Sequence, residues 1–240
     1  MLKYIKKVNQ PKSNGIRHWA LTIIFAISTL PLLAEPVVVP MSLMPGQSYR
    51  LAFVTSGTRD ATSTDINVYN DFVTDQANLS PSLFALNTTW RVIGSTASVN
   101  AITNIGFSLT TAIYNTAGDL VATGNPDLFD GILESPIRWD QSGNEPAFTI
   151  VWTGTDTSGG GLNPLGGFGP RLGQSNRRNF RWTSFINTDG SEEHPFYAIS
   201  GELTVPSEVP EPGTLTMLGA GATLLWVLKR RRSATPDNRS

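Results

Sequence analysis

The chain has no cysteine, so no disulfide and no thiolate metal site supports or equips the fold. It has two histidines, His18 and His194, and His18 lies just before the N-terminal apolar stretch. A zinc site built on histidine pairs is therefore excluded from residues 35–240. No G-x-S-x-G frame or comparable nucleophile motif occurs, which leaves no sequence basis for a serine hydrolase. Lysine is absent between residues 35 and 228, where eight arginines face eighteen acids for a net charge of −10. The overall charge of −1 conceals this, because ten of the 18 basic residues sit at the two ends. A surface so acidic disfavours nucleic acid and anionic lipid as partners and keeps the region soluble. Long apolar runs are confined to the two ends.

The N-terminal end carries Lys3, Lys6, Lys7, Lys12 and Arg17 and no acid. Residues 19–34 (WALTIIFAISTLPLLA) follow as an apolar stretch. A basic region, an apolar core and a small residue describe a secretory signal peptide over residues 1–34, cleaved after Ala34. A retained N-terminal anchor is the alternative at this point.

The C-terminal end has three parts. Val209-Pro210-Glu211-Pro212 comes first; each proline fixes φ and removes a donor, so the segment is extended and Glu211 is held in a rigid frame. Residues 213–228 (GTLTMLGAGATLLWVL) are sixteen residues without a charge. As a helix they span about 24 Å against a hydrocarbon core of about 30 Å. Lys229, Arg230, Arg231 and Arg232 then form a basic stop. They place residues 233–240 in the cytoplasm by the positive-inside bias and can snorkel to cover the short span.

This order of parts, residues 209–232, resembles the PEP-CTERM sorting signal of Gram-negative and related bacteria. In that family an exosortase recognises the Pro-Glu-Pro motif and removes the helix during export. The resemblance implies an exosortase-type enzyme and the secretion machinery as partners. It implies transient inner-membrane anchoring, then a cell-surface or extracellular destination. An ordinary single-pass anchor is the alternative reading of the same residues.

Residues 35–208 are long enough for one domain with its own core. Residues 48–55 (SYRLAFVT) read as a strand with Tyr49, Leu51 and Phe53 on one face. Residues 64–77 read as a helix capped by Thr64, with Ile66, Tyr69, Val73 and Ala77 at helical spacing. Further strands are expected at 89–94, with Trp90 and Val92 on one face, and at 148–154, 181–186 and 196–205. A hairpin is expected over 107–115 and 119–123, and residues 35–45 are expected as an edge strand or extended arm. Residues 124–131 and 158–173 read as loops, the second with seven glycines and two prolines in 16 residues. The expected fold class is α+β, a β-dominated single exported domain with one clear helix.

The order of these segments over residues 49–205 also resembles an exported domain recurrent among bacterial sorting-signal proteins, akin to C-type-lectin or endostatin-like folds. The quoted segments are LAFVTSGTRDAT, INVYNDFV, TWRVIGST, VWTGT, WTS and FYAISGELTV. The resemblance implies a lectin-like architecture. It transfers no ligand-binding residues.

Three clusters are candidate chemistry. Asn125, Asp127 and Asp130, flanked by Asp119 and Glu134, offer oxygen atoms at short spacing that suit calcium. Asp60, Asp65, Asp71 and Asp75 surround the helix, and the last two share a face. Arg171, Arg177, Arg178 and Arg181 lie beside Phe168, Phe180 and Trp182, a basic-aromatic stretch suited to polysaccharide. His194, in Glu-Glu-His-Pro, reads as a solvated turn residue. The functional expectation is an exported cell-surface or extracellular-matrix protein, non-enzymatic, without a firm cofactor, carrying a carbohydrate- or calcium-binding lectin-like domain. A secreted hydrolase of matrix polysaccharide and a passive membrane-tethered structural protein are the alternatives.

Overall fold

The computed structural model describes residues 35–146 and 149–207. The expected signal peptide, its cleavage point at Ala34, the sorting motif at residues 209–212, the helix at 213–228, the basic stop at 229–232 and the tail at 233–240 lie outside them. No helix among the described residues is long and apolar enough to cross a membrane.

The fold is built around one strand, β1 (Ser48–Val54), of which only Ser48 is exposed. Its alternation predicts one wet face, but both faces are covered. Tyr49, Leu51 and Phe53 join one core cluster, and Ala52 and Val54 join another. Arg50 is buried with them. Its Nε donates to the Ser200 carbonyl at 2.8 Å and its Nη2 to the Ile105 carbonyl at 2.6 Å, so its polar atoms are matched rather than solvated.

From β1 the chain crosses through helix α1 (Ile66–Asn78) to β2 (Trp90–Val92), with the short helix α2 (Pro81–Phe84) between. Ile66, Tyr69, Val73 and Ala77 are buried as their spacing predicts. The cap is Asp65 rather than Thr64: Asp65 has extended backbone and accepts from the Asn67 N–H at 2.9 Å. A carboxylate also complements the positive end of the helix better than a hydroxyl does. Helix α3 (Ala101–Asn104) precedes β3 (Ala112–Asn115), which pairs with β4 (Leu120–Ala122) in the expected hairpin. The hairpin is shorter than expected because Phe107 and Leu109 are exposed rather than paired. Helix α4 (Asn125–Leu128) replaces the expected loop at 124–131, with Pro126 at its first turn where a missing donor costs nothing.

A second sheet, order β5–β6–β7, joins β5 (Ile150–Trp152), β6 (Arg171–Gln174) and β7 (Ile186–Asn187). The strand expected at 181–186 is a 3₁₀ turn, Phe180–Trp182, leaving only β7 paired. The cause is local. Asn179 caps the turn by accepting from the Arg181 N–H at 3.2 Å, and Trp182 swings inward between Phe129 and Tyr197. Tyr197 Oη donates to the Trp182 carbonyl at 2.9 Å.

The closing stretch at 196–205 splits into β8 (Tyr197–Ser200) and β9 (Leu203–Thr204), both antiparallel to β1. Ile199 faces Ala52 while Leu203 faces Tyr49, so the register slips by one residue, as in a β-bulge. The main sheet has the order β2–β8–β1–β3–β4, with β9 on β1. β1 and β3 are parallel, and β1 and β2 are both antiparallel to β8. Hence β1, β2 and β3 all begin at one end of the sheet. Residues 35–45 form neither a strand nor an extended arm; bends and a turn closed by Leu43 N–H to the Pro40 carbonyl fold the segment, which is held by Val37 N–H to the Thr116 carbonyl and by Tyr49 Oη to the Val38 carbonyl.

Candidate functional sites: a glycine-walled cleft and the sorting segment

The end of the sheet at which β1 finishes carries a cleft of about 490 Å³. It is lined by Thr62, by residues 166–169 and by residues 187–191. Buried Ala61 positions both walls. Its N–H donates to the Gly190 carbonyl at 2.7 Å, and its carbonyl accepts from the Gly166 N–H at 2.8 Å. Gly166 has φ +77°, and a Cβ there would run into the Ser63 carbonyl, so this wall requires glycine. Phe168 stands between Gly167 and Gly169 and is fully exposed. On the neighbouring 187–191 segment Asn187 and Asp189 are exposed and Thr188 is half-buried. Asp189 accepts from the Ser191 N–H at 2.9 Å, which holds its carboxyl below the usual carboxylate range. It is the one acid in the lining. An exposed aromatic ring in one lining with an amide, a hydroxyl and a carboxylate, in a volume of this size, offers groups that suit a sugar ring, which has a C–H face and hydroxyls.

The residues singled out in the sequence fare differently. Asn125 is buried and its Nδ2 donates to the Gly106 carbonyl at 2.7 Å. Asp127 accepts from Thr123 N–H and Oγ1, and Asp130 from the Ile132 N–H. Asp119 takes a bond from Asn115 Nδ2 at 3.3 Å, and Glu134 lies 3.9 Å from Arg178. The carboxylates of Asp127 and Asp130 thus serve separate local turns, while Asn125 Oδ1 is buried without a hydrogen-bond partner. Among the described residues no group of three or more His, Asp or Glu side chains is gathered to hold a metal ion. Asp71 and Asp75 are exposed on α1, while Asp60 accepts from Thr62 Oγ1 at 2.6 Å and is held below its usual range by that bond first.

The basic-aromatic stretch is not one patch. Trp182 is fully buried, so it cannot stack on a ligand. Arg178 Nε is committed to the Leu133 carbonyl, and Arg181 lies over Phe180 and Phe185. Arg171 sits half-buried in β6, and Arg177 is exposed. Only Phe168 of that set reaches the cleft. His194 is not a solvated turn residue: its ring packs edge-on against buried Trp152, 5.1 Å between centroids, and Nε2 lies 3.1 Å from Glu192. The intervening backbone bridges to Arg59, which ties the 187–196 segment to the loop that follows β1.

Sequence reasoning missed the cleft. The signal was present in Gly-Gly-Phe-Gly at 166–169, where a phenylalanine has no apolar neighbour to hide it.

The described chain ends in the main sheet. Val205 N–H donates to the Gln47 carbonyl and the Val205 carbonyl accepts from the Gly46 N–H, both at 2.9 Å. Four residues later the Val-Pro-Glu-Pro segment begins. A family model, the PEP-CTERM protein-sorting motif, matches residues 208–232. The tail is a PEP-CTERM sorting motif. It marks the chain as an exported protein, held transiently in the membrane and processed by an exosortase. No curated protein matches this chain.

Proposed function

We propose that the chain is a cell-surface or extracellular-matrix protein whose domain binds extracellular polysaccharide without acting on it. The observation that carries this reading is the fully exposed Phe168 ring on the glycine segment, in the same cleft lining as Asn187 and Asp189. An exposed phenylalanine lining a cleft gains from a ligand that takes its ring out of water. A pyranose supplies such a cover through its C–H face, and its hydroxyls match the polar wall. The PEP-CTERM motif supports delivery to the compartment where such polymers lie. A hydrolytic cleft would need a second carboxylate near Asp189, and the lining holds none.

The test is binding of the purified full chain, in detergent, to a glycan array and to exopolysaccharide, with and without calcium. The reading expects retention on at least one acidic or neutral polymer and loss of retention for Phe168→Ala. Indifference to every glycan in both conditions would remove it. Release of reducing ends from a bound polymer would favour the hydrolase instead.

A further inference from the structure

The end of the sheet opposite the cleft differs from every other part of the surface. Four segments meet there. Residues 41–47 lead into β1, 79–89 into β2 and 105–111 into β3, while 201–207 carry the chain out. They are joined directly: Gly201 N–H donates to the Thr89 carbonyl, Arg50 Nη2 to the Ile105 carbonyl, Thr111 Oγ1 to Glu202, and Gly46 pairs with Val205. These four segments hold a single charged residue, Glu202. Thr111 Oγ1 donates to that carboxylate, and Arg50 lies beside it in the same hollow.

The same segments display Met41, Met44, Leu79, Phe84, Phe107 and Leu109. These are six of the eleven exposed large hydrophobic side chains among the described residues. Met41 is 93 % exposed and Phe107 73 %. So many uncovered apolar groups in a nearly charge-free ring, on a domain (residues 35–208) of net charge −9, need an occupant.

The chain itself names it. The last residue bound to the sheet, Val205, precedes the apolar run at Gly213 by eight residues. Fully extended, that tether reaches at most about 28 Å. A domain of this length is about 40 Å across by the compactness expected of folded chains. The tether is therefore shorter than the body it holds, and the end from which it leaves must lie close to the bilayer. Acidic surface would be repelled by anionic headgroups, and the only end almost free of charge is this one.

We infer that, while the sorting helix is embedded, the ring formed by residues 41–47, 79–89 and 105–111 rests in the phospholipid interface. The domain then stands on the membrane with its cleft outward. The inference rests on the anchoring implied by the sorting motif.

The absence of cysteine makes the test direct, since any introduced thiol is unique. Met44→Cys, Phe107→Cys and Asn187→Cys are each labelled with a polarity-sensitive fluorophore in the full chain. Each is reconstituted in vesicles of phosphatidylethanolamine and phosphatidylglycerol containing nitroxide-headgroup lipid. Interfacial side chains lie within the headgroup and acyl boundary, so quenching at 44 and 107 is expected to exceed that at 187 by about threefold. Adding Phe107→Glu and Leu109→Glu to Met44→Cys is expected to bring its quenching down to the level at 187. Equal quenching at 44, 107 and 187 in protein that floats with the vesicles overturns the inference and leaves anchoring intact. Shielding of position 44 in detergent that grows with protein concentration assigns the ring to a second copy and also overturns it. Failure of the full chain to float with the vesicles overturns anchoring and the inference together.

Discussion

The two ends of β1 are about 20 Å apart along the strand and chemically opposite. At its start, four segments carry one charged residue and six uncovered apolar side chains. At its finish, residues 55–65 and 187–196 carry Arg59, Asp60, Asp65, Asp189, Glu192, Glu193 and His194 around a cleft with one exposed aromatic. Both ends are stitched to the same sheet by backbone hydrogen bonds, so the difference is not one of order. It is one of partner: lipid needs a neutral apolar surface, and a hydrated polymer needs hydroxyl-matching groups around a ring. The net charge of −9 over residues 35–208 is therefore a property of one end and the sides, not of the whole domain.

The largest expected effect bears on the neutral end. Glu211→Ala removes the single charge from the rigid Pro-Glu-Pro frame, and processing is expected to fail entirely. Full-length chain should accumulate in the membrane fraction, as mass spectrometry of the mature C-terminus would record. Normal processing of the variant would mean that Glu211 is not what the enzyme reads.

Next come two glycines of similar backbone conformation, one at each end. Gly166 has φ +77° with the Ser63 carbonyl where a Cβ would stand, while Gly46 has φ +85° and open space around it. Gly166→Ala is expected to cost about 3 kcal/mol or more, combining left-handed strain with overlap, and to distort the cleft. Gly46→Ala should cost about 1–2 kcal/mol, from strain alone. Denaturant midpoints of the two variants measure the difference, and equal shifts would mean that the cleft wall yields freely.

The smallest effect is with pH. Asp60 and Asp189 are both held below their usual carboxylate range by bonds from Thr62 and Ser191. A depressed folded value stabilises above the unfolded pKa, near 4, and that contribution is lost as pH falls through the folded value. Amide exchange below about pH 4 should therefore loosen residues 60–62 and 187–191 before residues 41–47, which have no carboxylate to titrate. The effect is modest because Asp189 is exposed and Asp60 is only half-buried. Simultaneous loosening at both ends would contradict this electrostatic difference.

The neutral end and the cleft end also differ in how far they could be read from sequence. The sorting tail was fully legible, because each of its parts acts locally: proline rigidity, an uncharged run, a basic stop. So were α1 and β1, where spacing alone selects Ile66, Tyr69 and Val73, or Tyr49, Leu51 and Phe53. The cleft was not, since it depends on Ala61 meeting Gly166 and Gly190 across more than a hundred residues. The strand expected at 181–186 was lost to one capping bond from Asn179 and the inward packing of Trp182. Aromatic content alone could not tell a buried Trp182 from an exposed Phe168. The neutral ring was likewise invisible, because 41–47, 79–89 and 105–111 become neighbours only when three parallel strands start together.

One comparison of like with like tests the division between the two ends. Phe168 and Phe107 are both exposed phenylalanines, one in the cleft and one in the neutral ring. Polysaccharide affinity of the full chain should fall about tenfold for Phe168→Ala, the order of one stacked aromatic, and stay unchanged for Phe107→Ala. Equal losses, or a loss for Phe107→Ala alone, would contradict the account.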